Sequence, residues 1–155
     1  MKPAFLGIGG QRCGTAWLYN CLDEHPALCL PHKEVNYFVH NHDFERGVDW
    51  YQGRFDTCPE AHLAGEMSSL YLYDPRAPER IRDYSPDMKL VVSLRDPVER
   101  AYSSYLNQRA AGELPKSASF GEAINRFPDL IEKSTYAPGL RRFLDCFPQQ
   151  QMLVL

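Results

Sequence analysis

A loop with several glycines, placed between a predicted strand and a predicted helix, is the first stretch that could do chemistry. The apolar run at residues 5–8 breaks at Gly9 and Gly10, and a helical pattern begins at about Thr15. Such a turn directs free backbone N–H groups and the positive helix end toward an anion, although an ordinary strand–helix turn has the same pattern. The residues expected to bind the anion are Gly10, Gln11, Arg12, Cys13, Gly14, Thr15 and Ala16.

This loop suits a phosphate-like group but departs from the loop of standard ATPases. Gly9 and Gly14 have the glycine spacing of a Walker A motif, whereas Thr15 and Ala16 occupy the positions of its lysine and its serine or threonine. Arg12 supplies a full positive charge instead. We therefore predict an anion site that differs from that of an ATPase.

A second charged position follows the clearest predicted strand. Residues 89–94 are rich in β-branched and aliphatic residues, which is typical of a strand buried on both faces of a parallel sheet. Arg95 stands at the carboxyl end of this strand, where open α/β sheets bind ligands. Asp96 is predicted to cap the next helix, with Glu99 as its capping-box partner, and Ser103 lies two turns further along.

A lysine–glutamate pair precedes two aromatic residues in the sequence. Lys33 and Glu34 form a predicted turn that follows a short extended piece and precedes Tyr37 and Phe38. Lys–Glu pairs are usually solvated, but the apolar flanks indicate that part of this turn faces inward.

Strands and helices alternate around these positions. The alternation predicts an α/β fold, a P-loop-like three-layer α/β/α arrangement with a central parallel sheet, in one domain over residues 1–155. Strands are predicted near 5–8, 28–30, 63–67, 89–94 and 151–155, and helices near 15–24, 74–84, from 97, 119–127 and from 138. Residues 40–60 are predicted to form an exposed, irregular loop.

Taken in order, the three motifs resemble those of PAPS-dependent sulfotransferases (PAPS is 3′-phosphoadenosine 5′-phosphosulfate), in the branch with heparan-sulfate and bacterial small-molecule enzymes. Residues 10–15 are similar to the 5′-phosphosulfate loop, often written G-x-[KR]-x-G-T, and residues 94–103 to the 3′-phosphate motif. Residues 33–38 resemble the segment whose glutamate is the catalytic base. The resemblance runs from about residue 4 to 155.

The resemblance implies sulfuryl transfer from PAPS to an acceptor hydroxyl or amine by in-line displacement, leaving adenosine 3′,5′-bisphosphate. It implies that Glu34 takes the acceptor proton and that Arg12, the second catalytic residue, stabilises charge on the leaving phosphate. Thr15 would bond the same group, and Arg95 and Ser103 would hold the 3′-phosphate.

Three features depart from the family pattern or leave a choice open. His32 is a rival base, because the cytosolic branch of the family uses a histidine. Residues 66–71 resemble a Glu-Lys-[ST]-Pro-x-Tyr substrate segment, with Met67 replacing lysine and Ser69 replacing proline. Family members continue with a segment that closes over the 3′-phosphate, so we expect the domain to be C-terminally truncated.

Composition limits the partners and the compartment. The net charge of −3 gives no general attraction to nucleic acid, and no apolar run is long enough for a membrane span. The five cysteines lack a C-x-x-C pair and the chain starts without room for a signal peptide, which together predict reduced thiols and a cytoplasmic protein. Cys13 is either a small loop residue or a nucleophile. We expect a small-molecule or carbohydrate acceptor and no metal; the oligomeric state stays open.

Two other functions share these features. A P-loop kinase would have the same strand–loop–helix core, although this sequence lacks the Walker A lysine that such kinases use. A truncated, non-catalytic domain that binds a nucleotide or a partner protein would retain the fold without turnover.

Overall fold

The computed structural model describes residues 1–40, 43–115 and 117–155 and is built on five parallel strands. The strands are β1 (Phe5–Gly9), β2 (Leu28–Cys29), β3 (Leu63–Met67), β4 (Lys89–Val92) and β5 (Met152–Val154), and their order in the sheet is β2-β3-β1-β4-β5. All four neighbouring pairs are parallel. The predicted α/β class and central parallel sheet are confirmed.

Helices connect the strands, as crossovers between parallel strands require. They are α1 (Thr15–Asp23), α2 (Gly47–Gly53), α3 (Ala77–Tyr84), α4 (Pro97–Ala110), α5 (Phe120–Arg126), α6 (Asp129–Glu132) and α7 (Ala137–Cys146). Short 3₁₀ turns lie at Asp43–Arg46 and Gln149–Gln151. In the described ranges, no helix combines the length and the apolar character that crossing a membrane requires.

The strand side chains separate the helices into two layers. Leu6, Ile8 and Leu90 pack into the main core with residues of α2, α3 and α7. Phe5 and Val91, which alternate with them along the strands, pack instead with residues of α1. The sheet is therefore the middle of three layers.

Residues 40–60 differ from the predicted exposed loop; residues 41 and 42 lie outside the described part of the chain. The segment contains a 3₁₀ turn and α2, and both Tyr51 and Phe55 are fully buried. Tyr51 stacks on Tyr37 with 4.4 Å between ring centroids. The prediction was wrong because these aromatic partners are distant in sequence.

The helix starts show which capping predictions hold. Asp96 caps α4 as expected, since its Oδ1 accepts bonds from the N–H groups of Val98 (3.0 Å) and Glu99 (2.9 Å). The predicted start of a helix at Asp74 is too early, because α3 begins at Ala77 and Asp74 accepts from the N–H of that residue.

The prediction that all cysteines are reduced is wrong for one pair. Cys29 at the end of β2 and Cys58 form a disulfide, with their Cα atoms 5.8 Å apart. The fold joins residues 29 positions apart, which the spacing of cysteines in the sequence does not reveal. Because disulfides persist mainly in oxidising compartments, the cytoplasmic prediction loses one of its two supports.

We expect Cys58→Ser to lower the free energy of unfolding by about 3–4 kcal/mol, because the cross-link restricts the unfolded chain. Denaturant unfolding under non-reducing conditions measures it. Cys21→Ser is the matched control, since Cys21 is free and exposed. Equal stabilities of the two variants would contradict a stabilising disulfide.

Candidate active site

An open cleft of about 620 Å³ lies at the carboxyl ends of the central strands. It brings together residues from all three predicted motifs, which are separated by more than half of the chain. The predicted site residues in its lining are Gln11, Arg12, Gly14, Thr15, Ala16, Glu34, Arg95 and Ser103. Lys33, Asn36, Ser69, Leu70 and Asn107 complete the described lining.

Tyr73 supports the glycine-containing loop through a hydrogen bond with its backbone. The N–H of Gln11 donates to the Tyr73 hydroxyl at 3.1 Å, and burial raises the pKa of Tyr73 to about 12, which keeps that hydroxyl protonated. A Cβ atom at Gly10 would lie 2.8 Å from the same oxygen, so a larger residue there would displace Tyr73. Gly14 caps α1 in the left-handed conformation, with φ 80°.

Some backbone N–H groups of the glycine-containing loop already have hydrogen-bond partners within the protein, and others are available for a ligand. The N–H of Gly10 bonds to Ser93, that of Gln11 to Tyr73 and that of Cys13 to Gly10. The first N–H groups of α1 have no helical partner. The donors best placed for an anion are therefore those of the helix start, from Gly14 to Ala16.

Gly10 and Cys13 are predicted binding residues that do not line the cleft. Cys13 is buried, with its Sγ 3.4 Å from the hydroxyl of Tyr136. That hydroxyl donates to the carbonyl oxygen of Arg95 at 3.1 Å. Through Tyr136, Cys13 connects the glycine-containing loop to the segment of Arg95. The buried position of its Sγ gives no support to a role as a nucleophile.

Arg12 has a backbone conformation that non-glycine residues rarely adopt, with φ 67°. It directs the side chain across the cleft to α4, where Nε and one terminal nitrogen donate to Ser103 Oγ at 3.3 and 3.2 Å. The other terminal nitrogen donates to Asn107 Oδ1 at 3.2 Å. All these partners are neutral, and among the described residues no carboxylate forms an ion pair with Arg12.

Arg95 is held by a surface ion pair. Its Nε and one terminal nitrogen donate to Glu99 Oε2 at 3.2 and 3.0 Å. Glu99 therefore pairs with Arg95 rather than completing the predicted capping box. Both side chains are substantially exposed, and exposed pairs contribute little stability, so a phosphate can replace Glu99 at low cost.

Glu34 lies at the opposite wall, after β2. Its N–H donates to the carbonyl of Met67 at 2.8 Å, which docks the Lys–Glu turn on the carboxyl end of β3. Glu34 is also left-handed, with φ 56°. Its Oε2 accepts from both the N–H and the hydroxyl of Ser69, each at 3.0 Å. Within the described residues, Oε1 has no such partner and is available to accept a proton.

His32, the rival base, does not belong to the cleft lining. Burial, with the nearby charge of Arg54, lowers the pKa of His32. Position therefore favours Glu34 as the proton acceptor.

Arg100 is a supporting residue that the sequence analysis did not select. It is fully buried, and its Nε donates to the Gln11 carbonyl at 3.2 Å while a terminal nitrogen donates to Ser134 Oγ at 3.0 Å. These bonds connect the loop to the segment after α6 and offset part of the cost of burying the guanidinium, although its other terminal nitrogen has no hydrogen-bond partner in the described part of the chain. Arginines on helices are normally solvated, so no sequence signal distinguished this one.

The comparisons with known proteins agree with this geometry. A family model described as a sulfotransferase domain matches residues 2–155. The chain belongs to the sulfotransferase family. A solved sulfotransferase from Alicyclobacillus acidocaldarius is 27% identical with a TM-score of 0.87, and the match covers 100% of this chain and 73% of that one.

Curated relatives of this sulfotransferase domain include several heparan sulfate enzymes. The human bifunctional heparan sulfate N-deacetylase/N-sulfotransferase 3 is 33% identical over 99% of this chain and 20% of its own length. The mouse heparan sulfate glucosamine 3-O-sulfotransferase 5 is 26% identical over 99% of this chain and 47% of its own. The membrane-associated sulfotransferase kil1 of Dictyostelium discoideum is 31% identical, over 96% and 32%. The chain thus spans about a fifth to a half of these relatives.

The segment expected to contact the acceptor is mostly buried in this sulfotransferase domain. Glu66 and Tyr71 have no exposed surface, and Met67, at the position of the family lysine, is 1% exposed. Only Ser69 and Leu70 of residues 66–71 line the cleft. The other side chains of the segment pack beneath it.

Proposed function

We propose that this protein transfers a sulfuryl group from PAPS to a hydroxyl or amine of a carbohydrate or small-molecule acceptor. The observation that carries the proposal is the composition of the cleft. Its described lining holds three cations, Arg12, Lys33 and Arg95, and one carboxylate, Glu34. This charge balance suits a donor with several negative charges and leaves one group to accept a proton.

The donor set fits the two charged ends of PAPS. The N–H groups at the start of α1, with Arg12 and Thr15, would hold the 5′-phosphosulfate. Arg95 and Ser103 would hold the 3′-phosphate; Ser103 Oγ accepts from Arg12, which leaves its O–H to donate to that phosphate. PAPS supplies the activated sulfuryl group, and the protein supplies position and charge.

Two residues act on the reacting groups. Glu34 removes the acceptor proton through Oε1 while Ser69 holds Oε2. Arg12 stabilises the negative charge that develops on the leaving phosphate oxygen, and it is effective because its own partners are neutral. In-line displacement needs an acceptor between Glu34 and the phosphate-binding loop, and both line the cleft.

A turnover assay tests the proposal. The protein is incubated with PAPS and glucosamine-containing oligosaccharides, chosen because the relatives are named for heparan sulfate, and with small phenols and alcohols. We expect adenosine 3′,5′-bisphosphate and a sulfated acceptor in equal amounts with at least one of them. Turnover of ATP, with phosphate transferred to the acceptor, would favour a kinase instead.

Arg95→Ala should weaken binding of adenosine 3′,5′-bisphosphate by about 10- to 100-fold, the range for a lost charged hydrogen bond. Binding of AMP, which lacks the 3′-phosphate, should change less than about threefold on the same reasoning. Calorimetric titration of both nucleotides measures the difference. Equal losses for the two would refute the assignment of Arg95 to the 3′-phosphate.

A further inference from the structure

Glu66 is a buried carboxylate that the proposed mechanism does not use. It lies in β3 with no exposed surface, and three hydroxyl groups donate to it. The hydroxyls of Tyr51 and Tyr71 bond Oε1 at 2.8 and 2.7 Å, and the hydroxyl of Ser68 bonds Oε2 at 2.7 Å. Burial raises the pKa of Glu66, and the hydroxyl bonds oppose that rise. A carboxylate is costly to bury, so this cluster calls for an explanation.

The cluster is connected to the candidate base. Ser68 Oγ, while donating to Glu66, accepts the N–H of Asn36 at 2.8 Å. The side chain of Asn36 then donates to the carbonyl oxygen of Glu34 at 3.0 Å. A continuous set of hydrogen bonds therefore runs from the core to the Lys–Glu turn.

This turn needs such support because of its backbone. Glu34 and Asn36 both have positive φ, 56° and 53°, and left-handed residues persist when surrounding contacts hold them. Ser69 binds the carboxylate of Glu34, whereas Ser68 binds the backbone N–H of Asn36. The two neighbouring serines thus fix the two ends of the turn.

We propose that Glu66 is a positioning residue for Glu34, acting through Ser68 and Asn36. This inference rests on the proposed role of Glu34 as base. The Asn36 N–H can only donate, so the Ser68 oxygen accepts that bond and the Ser68 O–H is left to donate to Glu66 Oε2. The residues of the acceptor-segment motif, Glu66, Ser68 and Tyr71, then support the base from below rather than contacting the acceptor.

Two variants and a matched control test this role. Glu66→Met removes the acceptor oxygens of this side chain, so that Ser68 loses its acceptor, and Ser68→Ala removes the link while Glu66 keeps both tyrosines. We expect each to lower kcat by about 10- to 100-fold, the effect of a small misplacement of a catalytic group, with the Kd of adenosine 3′,5′-bisphosphate within about twofold. The control, Tyr51→Phe, should leave kcat nearly unchanged, because Tyr71 still donates to Glu66 Oε1. Ser68→Thr, which keeps a hydroxyl at this position, should be more active than Ser68→Ala.

Hydrogen exchange separates this inference from the proposed function. Exchange at the Asn36 amide should accelerate in Ser68→Ala and stay unchanged in Tyr51→Phe, whether or not the protein turns over PAPS. An unchanged Asn36 amide in Ser68→Ala, or equal losses of kcat in Ser68→Ala and Tyr51→Phe, would overturn the positioning role. An inactive wild type with the expected exchange pattern would instead contradict the proposed function and leave the structural link from Glu66 to the turn intact.

Discussion

Replacement of Glu34 by glutamine is expected to lower kcat by roughly 10²- to 10⁴-fold, the usual contribution of a positioned general base. Glutamine has nearly the same shape and still accepts the bonds from Ser69 through its amide oxygen. Affinity for adenosine 3′,5′-bisphosphate should therefore stay close to that of the wild type. Single-turnover kinetics with PAPS and calorimetric titration of the bisphosphate measure the two quantities.

The control for this experiment is His32→Gln, which removes the rival base. Because His32 does not line the cleft, its replacement should change kcat by less than a factor of about three, far below the loss expected on removing a base. The opposite pattern, with an active Glu34→Gln and an inactive His32→Gln, would assign the proton transfer to the histidine.

Replacement of Arg12 by alanine is expected to lower kcat by about 10²- to 10³-fold, the cost of removing one preorganised donor from a site of developing charge. The change also removes the three bonds to Ser103 and Asn107. Arg12→Lys should retain more activity, because the charge remains and the family loop accepts either residue. Rates with saturating PAPS provide the measurement.

Asn107→Ala tests whether the charge of Arg12 or the orientation of its side chain determines the rate. It removes a neutral partner of Arg12 and should cost no more than about tenfold, the effect of one neutral hydrogen bond. A loss as large as that of Arg12→Ala would show that the orientation of the side chain, and not its charge on the leaving group, determines the rate.

Local patterns in the sequence predicted most of the sheet and the helix starts. Residues 63–67 were predicted as a strand and form β3, and Asp96 caps α4 as its sequence neighbours indicated. These features depend on residues close together in the chain. Arg95 was predicted to lie at the carboxyl end of a central strand, where open α/β sheets bind ligands, and it follows β4 in the structure.

Features that depend on distant residues were not predictable. The burial of Tyr51 requires Tyr37 and Glu66 as partners, and the disulfide requires β2 to approach Cys58. The left-handed conformation of Glu34 is another example, since non-glycine residues rarely adopt it and its contacts include Ser69 and Met67, which are distant in sequence. Each of these features was therefore visible only in the folded chain.

The proposed function requires the cleft to bind a nucleotide that has both a 5′- and a 3′-phosphate. The most direct test is thermal unfolding with adenosine 3′,5′-bisphosphate, compared with AMP and with ADP, each with and without Mg²⁺. At about 100 times Kd a ligand adds roughly 2.7 kcal/mol, which corresponds to a rise in Tm of roughly 5–10 °C for a chain of this size. We predict such a rise with the bisphosphate alone, independent of Mg²⁺, and a smaller one with AMP; greater stabilisation by ADP with Mg²⁺ would contradict the assignment.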